Sequence, residues 1–162
     1  MTVHLEPMPA TRLSLWVERT FEEYIEDRVR AGDSLDEAHA IAERNHHKLF
    51  PAGHPAPGHL IFDVLHDDLP VGFLWIGPRS DENPTAWWVW DIEIELEHRG
   101  KGWGRQVMVL AEQAAAEHGA ASLGLNVFGF NTVARHLYES LGYETTSLQM
   151  AKPLTPVDPA SA

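Results

Sequence analysis

The strongest constraint on this chain is the run Arg99-Gly100-Lys101-Gly102-Trp103-Gly104-Arg105, which sets three glycines between a charged, strand-like segment and a long helix with apolar periodicity. The first N–H groups of a helix have no intrahelical partner, and the aligned peptide dipoles leave partial positive charge there. Glycines let the backbone close around an anion without Cβ atoms in the way. Arg99, Lys101 and Arg105 gather three cations in a chain whose formal net charge is −12. The run therefore predicts a phosphate-binding turn at a helix N-terminus. The same residues also suit a glycine-rich strand-to-helix connection that binds nothing. The turn lacks the Gly-Lys-Ser/Thr ending of a P-loop, and Arg99-x-x-Gly102-x-Gly104 falls short of the dinucleotide fingerprint.

A chain of 162 residues that is 44% apolar fits one domain with a real core. We expect a single domain over residues 1–154 and a disordered Pro- and Ala-containing tail over 155–162. The sequence shows no apolar run long enough to span a bilayer and no secretory leader, so a cytoplasmic protein is expected, without a membrane partner. The absence of cysteine excludes disulfides, Cys-ligated zinc and a thiol nucleophile. The acidic balance argues against nucleic acid, whose binders neutralise phosphates with basic patches. It favours a cationic partner, although acidic surface also serves solubility.

Periodicity predicts a strand at Thr2 to Glu6 and a helix at about Thr11 to Arg30. Ser34 and Glu37 form a capping-box signature for a second helix running to Leu49. After a Pro/Gly loop at Pro51 to Gly58 the period becomes that of strands: His59 to His66, Val71 to Ile76 and Thr85 to Leu96. A helix from Gly102 to about His118, a strand at Ser122 to Val127, a helix at Asn131 to Leu141 and a last strand at Tyr143 to Lys152 complete the chain. The expected class is α/β or α+β, with a mixed, mostly antiparallel sheet of about six to seven strands flanked by about four helices.

Two groupings could carry chemistry. Asn131, Ala134 and Tyr138 stand at i, i+3 and i+7, so a helix puts them on one face. An amide, a small residue and a phenol there suit a channel for a peptide-like ligand, but they equally suit an N-cap and a packed ring. Strict alternation puts Asp91, Glu93 and Glu95 on one sheet face, where partial burial would raise at least one pKa. A carboxylate with a raised pKa suits a general base, and a base is expected there. Glu93 is the first choice, Asp91 the second, and Glu95 lies nearer the turn; a solvated strand face is the plain alternative. Trp87, Trp88 and Trp90 offer aromatic walls for a cation or simple core packing. The ten histidines, His46, His47, His54 and His59 among them, match no zinc spacing, and no metal is expected.

The turn matches the R-x-x-G-x-G/A pyrophosphate loop, and Leu123 to Tyr143, with Asn131, Ala134, Tyr138, Gly142 and Tyr143, resembles the second signature, of the GNAT superfamily of acyl-CoA-dependent N-acyltransferases. The resemblance covers roughly residues 59 to 152. It implies acetyl-CoA as acyl donor and an amine acceptor, in a monomer or homodimer. It further implies that Arg99, Gly100, Lys101, Gly102, Trp103, Gly104 and Arg105 hold the pyrophosphate, that the backbone around Ile94, Glu95 and Leu96 pairs with the pantetheine arm, that Asn131 contacts the cofactor, and that Tyr138 protonates the CoA sulfur. Asn126 departs from the glutamate that some members acetylating protein N-termini carry at this strand position, which lowers the case for that acceptor. An acyl-CoA-binding sensor on the same fold, or an enzyme using another acyl-CoA, are the rival readings.

Overall fold

The computed structural model describes residues 2–154; the expected disordered tail lies outside the described residues. The described chain runs β1 (His4–Pro7), α1 (Ala10–Ala31), α2 (Leu35–Leu49), β2 (Leu60–His66), β3 (Leu69–Ser80), β4 (Asn83–Ile94), α3 (Trp103–Glu117), β5 (Ser122–Leu125) and α4 (Thr132–Ser140). Short 3₁₀ turns occupy Pro51–Gly53 and Leu96–His98.

The five strands form one sheet in sequence order, antiparallel from β1 to β4, with β5 added in parallel to β4. Parallel β5 requires a crossover, which α3 supplies. The hairpin between β2 and β3 turns on Asp67 and Asp68, both at positive φ, as a two-residue turn with its twist matched to the strands requires. Ser34 and Glu37 form the expected reciprocal capping box at the start of α2.

Helix α3 covers one face of the sheet with an aliphatic core: Val64, Val71, Leu74, Ile76 and Val89 meet Val107, Met108 and Ala111. On the other face α1 packs an aromatic layer of Trp16, Phe50, Phe73 and Trp75, the Trp16 ring lying edge-on to Phe73 at 5.3 Å and to Trp75 at 5.6 Å. Strict alternation fails in β4. Ile76 pairs with Val89, yet its neighbour Trp75 pairs with Asp91, so Trp90 is an extra residue in a β-bulge. Before the bulge Trp87 and Val89 point into the α3 core; after it Ile92 and Ile94 do. Asp91 and Glu93, paired with Trp75 and Phe73, are thereby turned to the α1 face.

Two expectations are corrected. The sheet has five strands among the described residues, fewer than expected. The predicted strand at Tyr143 to Lys152 is absent: the segment makes no ladder, and Leu148 and Met150 stand 77% and 90% exposed. Alternation records a preference for extended backbone, but a strand exists only where another strand satisfies its N–H and C=O groups.

Candidate active site

Parallel pairing of β4 with β5 reaches Val89 and Leu125 and goes no further. The bulge at Trp90 breaks the ladder, and the chain after β5 turns toward α4. Beyond Val89 the β5-side edge of β4 has no pairing strand among the described residues. Gly124 keeps the two strands close up to that point, since a Cβ there would collide with the Trp88 ring. A cavity of about 370 Å³ opens where the strands part, walled by α1, α2, β3, β4 and the β5–α4 connection, with Tyr138 in its lining. That volume lies within the range of small-molecule sites.

The three candidate carboxylates separate. Asp91 lines the cavity, where burial is the largest influence and raises its pKa to about 7; the Ile92 backbone N–H opposes the rise, and the charges of Glu93, Glu23 and Asp27 add to it. Glu93 is not part of the cavity wall. One of its oxygens accepts from Arg19 on α1 at 2.6 Å and the other from Arg99 at 3.3 Å. Desolvation raises its pKa while these two guanidinium groups pull it back. It is the tie between β4, α1 and the glycine turn. Glu95 falls just past the end of β4, with its N–H donating to the Val71 carbonyl at 3.0 Å. Its carboxylate, that of Glu97 and the His98 ring lie within 4.8 Å of one another.

Tyr138 and Asn131 also reach the cavity, whereas Ala134, predicted on the same face, does not line it. Burial first, and then the nearby Asp91 charge, push the Tyr138 pKa above its ordinary value of 10.0, so the phenol keeps its proton at neutral pH. Asn131 is the N-cap of α4: its Oδ1 accepts from the Ala134 N–H at 3.2 Å. It is therefore both a cap and a wall of the site.

The glycine turn stands at the N-terminus of α3. Gly100 and Gly102 adopt φ of 78° and 76°, the left-handed region that favours glycine, and open space lies where a Cβ would project from either. Gly102 is the N-cap, and no side chain caps the helix. The first N–H groups of α3 are thus left to an incoming acceptor, as a phosphate site requires. The side chains of the turn are less free. Arg99 donates from Nε to the Ile94 carbonyl at 2.7 Å in addition to its Glu93 contact, Arg105 hydrogen-bonds Ser140, and Lys101 sits 4.7 Å from the Trp103 ring centre. Gly104 lies inside α3 facing Leu137. The Trp103 side chain is buried in the α3 core, so only its backbone can meet a ligand. Ile94 points into that core and so also brings only backbone, whereas the Leu96 side chain is exposed.

Of the three tryptophans, Trp88 and Trp90 line the cavity and Trp87 belongs to the α3 core. Among the histidines, His59 accepts the Trp75 Nε1–H at 3.0 Å, and burial lowers its pKa to about 4. His46 stacks on Phe50 at 5.5 Å. The individual side chains that α1 and α2 bring to the wall, Glu23, Asp27 and Asn45 among them, were not singled out by sequence reasoning. Only the i, i+4 spacing of Glu23 and Asp27 hinted that α1 presents an acidic stripe.

Residues 14–143 match the model of the Acetyltransferase (GNAT) family. The chain is 32% identical to the uncharacterized N-acetyltransferase YycN of Bacillus subtilis over 156 residues, which are 95% of this chain and 100% of that protein. It superposes on the YycN crystal structure with a TM-score of 0.86, covering 96% of this chain and 100% of the other. A streptothricin acetyltransferase of Streptomyces lavendulae is 43% identical over 61 residues, 38% of this chain and 32% of the relative. The aminoglycoside N-acetyltransferase AAC(6')-Iy in complex with CoA shares the fold, with a TM-score of 0.59 at 17% identity, covering 94% of each chain. With the family model spanning most of its length and a full-length relative at this identity, the chain belongs to the GNAT family of acetyltransferases.

Proposed function

We propose that the chain transfers an acetyl group from acetyl-CoA directly to a primary amine of a small molecule or peptide, in a ternary complex. The observation that carries this reading is a carboxyl group poised near neutrality and a phenol held protonated, both on the wall of one cavity. Acetyl-CoA supplies the acetyl group as a thioester open to attack by an uncharged amine. The left-handed glycines and the uncapped first turn of α3 fit its pyrophosphate, since no side chain caps the helix and open space lies where a Cβ would project from Gly100 and Gly102. The unpaired edge of β4 beyond Val89 offers backbone groups to the amides of the pantetheine arm.

Asp91, rather than Glu93, takes the proton given up by the attacking amine. Glu93 is held by two guanidinium groups and has no access to the cavity, whereas Asp91 lines it. Tyr138 gives its phenolic proton to the sulfur as the carbon–sulfur bond breaks. With no cysteine in the chain to carry the acyl group, the nitrogen–carbon bond forms in the same complex. The positioning of both reactants against these groups supplies most of the acceleration.

The test is a calorimetric titration of the protein with acetyl-CoA, using Gly102→Asp as control, followed by thiol release with an amine panel. The expected result is binding by wild type that the aspartate weakens at least about tenfold, because a carboxylate then faces the pyrophosphate at a left-handed position. A folded wild type that does not bind acetyl-CoA ends this reading.

A further inference from the structure

The cavity has more negative charge than acetyl transfer to a single amine requires. Its lining includes the carboxyl groups of Glu23, Asp27 and Asp91 and contains no lysine or arginine. The three are not equivalent. Glu23 accepts from Arg19 Nε at 2.7 Å. Asp91 sits where β4 and β5 part, beside Tyr138. Asp27, one helical turn beyond Glu23 on the same face of α1, has neither a hydrogen bond nor an ion pair among the described residues. The Arg30 charge reaches it without forming an ion pair, that guanidinium lying 4.0 Å from the centre of the Phe130 ring.

A half-buried carboxylate with no hydrogen bond or ion pair costs free energy that a bound cation would recover. Independently of charge, Trp90 stacks on Trp75 at 5.7 Å to form an aromatic wall of the same cavity, a surface that favours cations. Trp75, Phe50 and Phe128 extend that apolar surface. A ligand fitting this lining has an apolar body and positive charge at more than one point.

Resting on the acetyl-transfer reading, we propose that the acceptor carries two cationic nitrogens: one is acetylated at Asp91, and a second stays charged and is seated on Asp27 at the α1 wall. The class is a diamine or a larger amine with a second ammonium or amidinium group. Asp91 handles the nitrogen that must lose its proton, and Asp27 the nitrogen that must keep it. The acetyl group is then directed to one end of the acceptor, because the other end is held away from the thioester.

The test compares α,ω-diamines of three to six carbons with monoamines of the same length. Thiol release is measured at saturating acetyl-CoA, and binding is measured by calorimetry on the CoA-loaded protein. Wild type should favour at least one diamine over its matched monoamine by about tenfold or more in kcat/KM and in affinity, as expected for one charge-assisted contact. Asp27→Asn should reduce that preference to less than about threefold, while Asp27→Glu, which keeps the charge, should retain most of it. Equal use of both amines by wild type, or a preference that survives Asp27→Asn, overturns the second seat and leaves acetyl transfer standing. Diamine binding that depends on Asp27 but is never followed by thiol release supports the seat and overturns the acetyl-transfer reading. Failure of a CoA-loaded wild type to bind any diamine overturns the proposal.

Discussion

The two faces of the sheet are built from different materials. Under α3 the contacts are closed and mostly aliphatic, with Leu74, Ile76, Val107 and Met108 fully buried and Trp87 and Trp103 packed among them. Under α1 and α2 they are aromatic and interrupted, with three carboxylates turned toward the helices at Asp63, Asp91 and Glu93. Aliphatic side chains interdigitate to crystal-like density and leave no room for a ligand. Large flat rings meet edge to face and leave gaps between elements, and rings also present surfaces that favour cations. The α3 face thus serves stability, and the α1 face gives up some packing for a cavity. Asp63 shows that the second face tolerates charge for structural ends too: one of its oxygens is held by Arg12 at 3.0 Å while the other is buried without a partner.

If this division holds, the largest effects on activity belong to the α1 face. Asp91→Asn should lower kcat/KM by about 10²–10⁴-fold, the usual contribution of a positioned base. In wild type, kcat/KM should rise with pH through about 7 as Asp91 ionises, and the substitution should remove that limb. The same carboxyl group makes an opposite demand on stability. Between the ordinary carboxylate pKa and about 7 the folded protein holds a proton that the unfolded chain has released, so stability falls as pH rises through that window. Urea unfolding of Asp91→Asn should show a flatter dependence there. Tyr138→Phe should lose activity on a similar scale through kcat, read by steady-state thiol release; an unchanged rate removes the phenol from the mechanism.

On the α3 face the effect should move from rate to stability. Leu74→Ala should cost about 2–5 kcal/mol in chemical denaturation, by lost burial plus the cavity left behind. Activity per folded molecule should change by less than about twofold, because the removed atoms lie across the sheet from the cavity. The smallest expected effect is that of Glu93→Gln. Its partners are solvent-accessible guanidinium groups, so unfolding should change by about 1 kcal/mol or less and kcat/KM by a few-fold. A collapse of activity in Glu93→Gln with little effect in Asp91→Asn would exchange the two roles.

The parts of the site that were legible in the sequence are those whose geometry is local. Gly100 and Gly102 at the start of α3, and Asn131 with Tyr138 along α4, follow from a turn and a helical period that a few consecutive residues determine. The first choice of base failed to reach the cavity for a non-local reason. Alternation predicted correctly that Asp91 and Glu93 share a face, but it could not show that Arg19, 74 residues earlier, would occupy Glu93 and leave Asp91 facing the cavity. The walls from α1 and α2 were unreadable on the same grounds, since the facing of Asp27 depends on how α1 lies across a sheet formed later in the chain. The segment after Tyr143 reads as a strand because Leu148 and Met150 alternate with polar residues, and pairing is not encoded in one segment alone.

The extra residue at Trp90 has a consequence for how this sequence can diverge. Substitutions along β4 alter one side chain at a time, but flattening the bulge, with Trp90 taking the place of Asp91 opposite Trp75, would shift the rest of the strand by one residue. Asp91 and Glu93 would then turn into the aliphatic layer beneath α3, and Ile92 and Ile94 would turn out toward the α1 face. Loss of Trp90 itself would not do this, because Asp91 would then follow Val89 directly and keep its place opposite Trp75. Lineages descended from this chain can therefore shorten β4 at this point and keep the carboxylates on their face, whereas a regular ladder that retains Trp90 would exchange the protein's chemistry with its core.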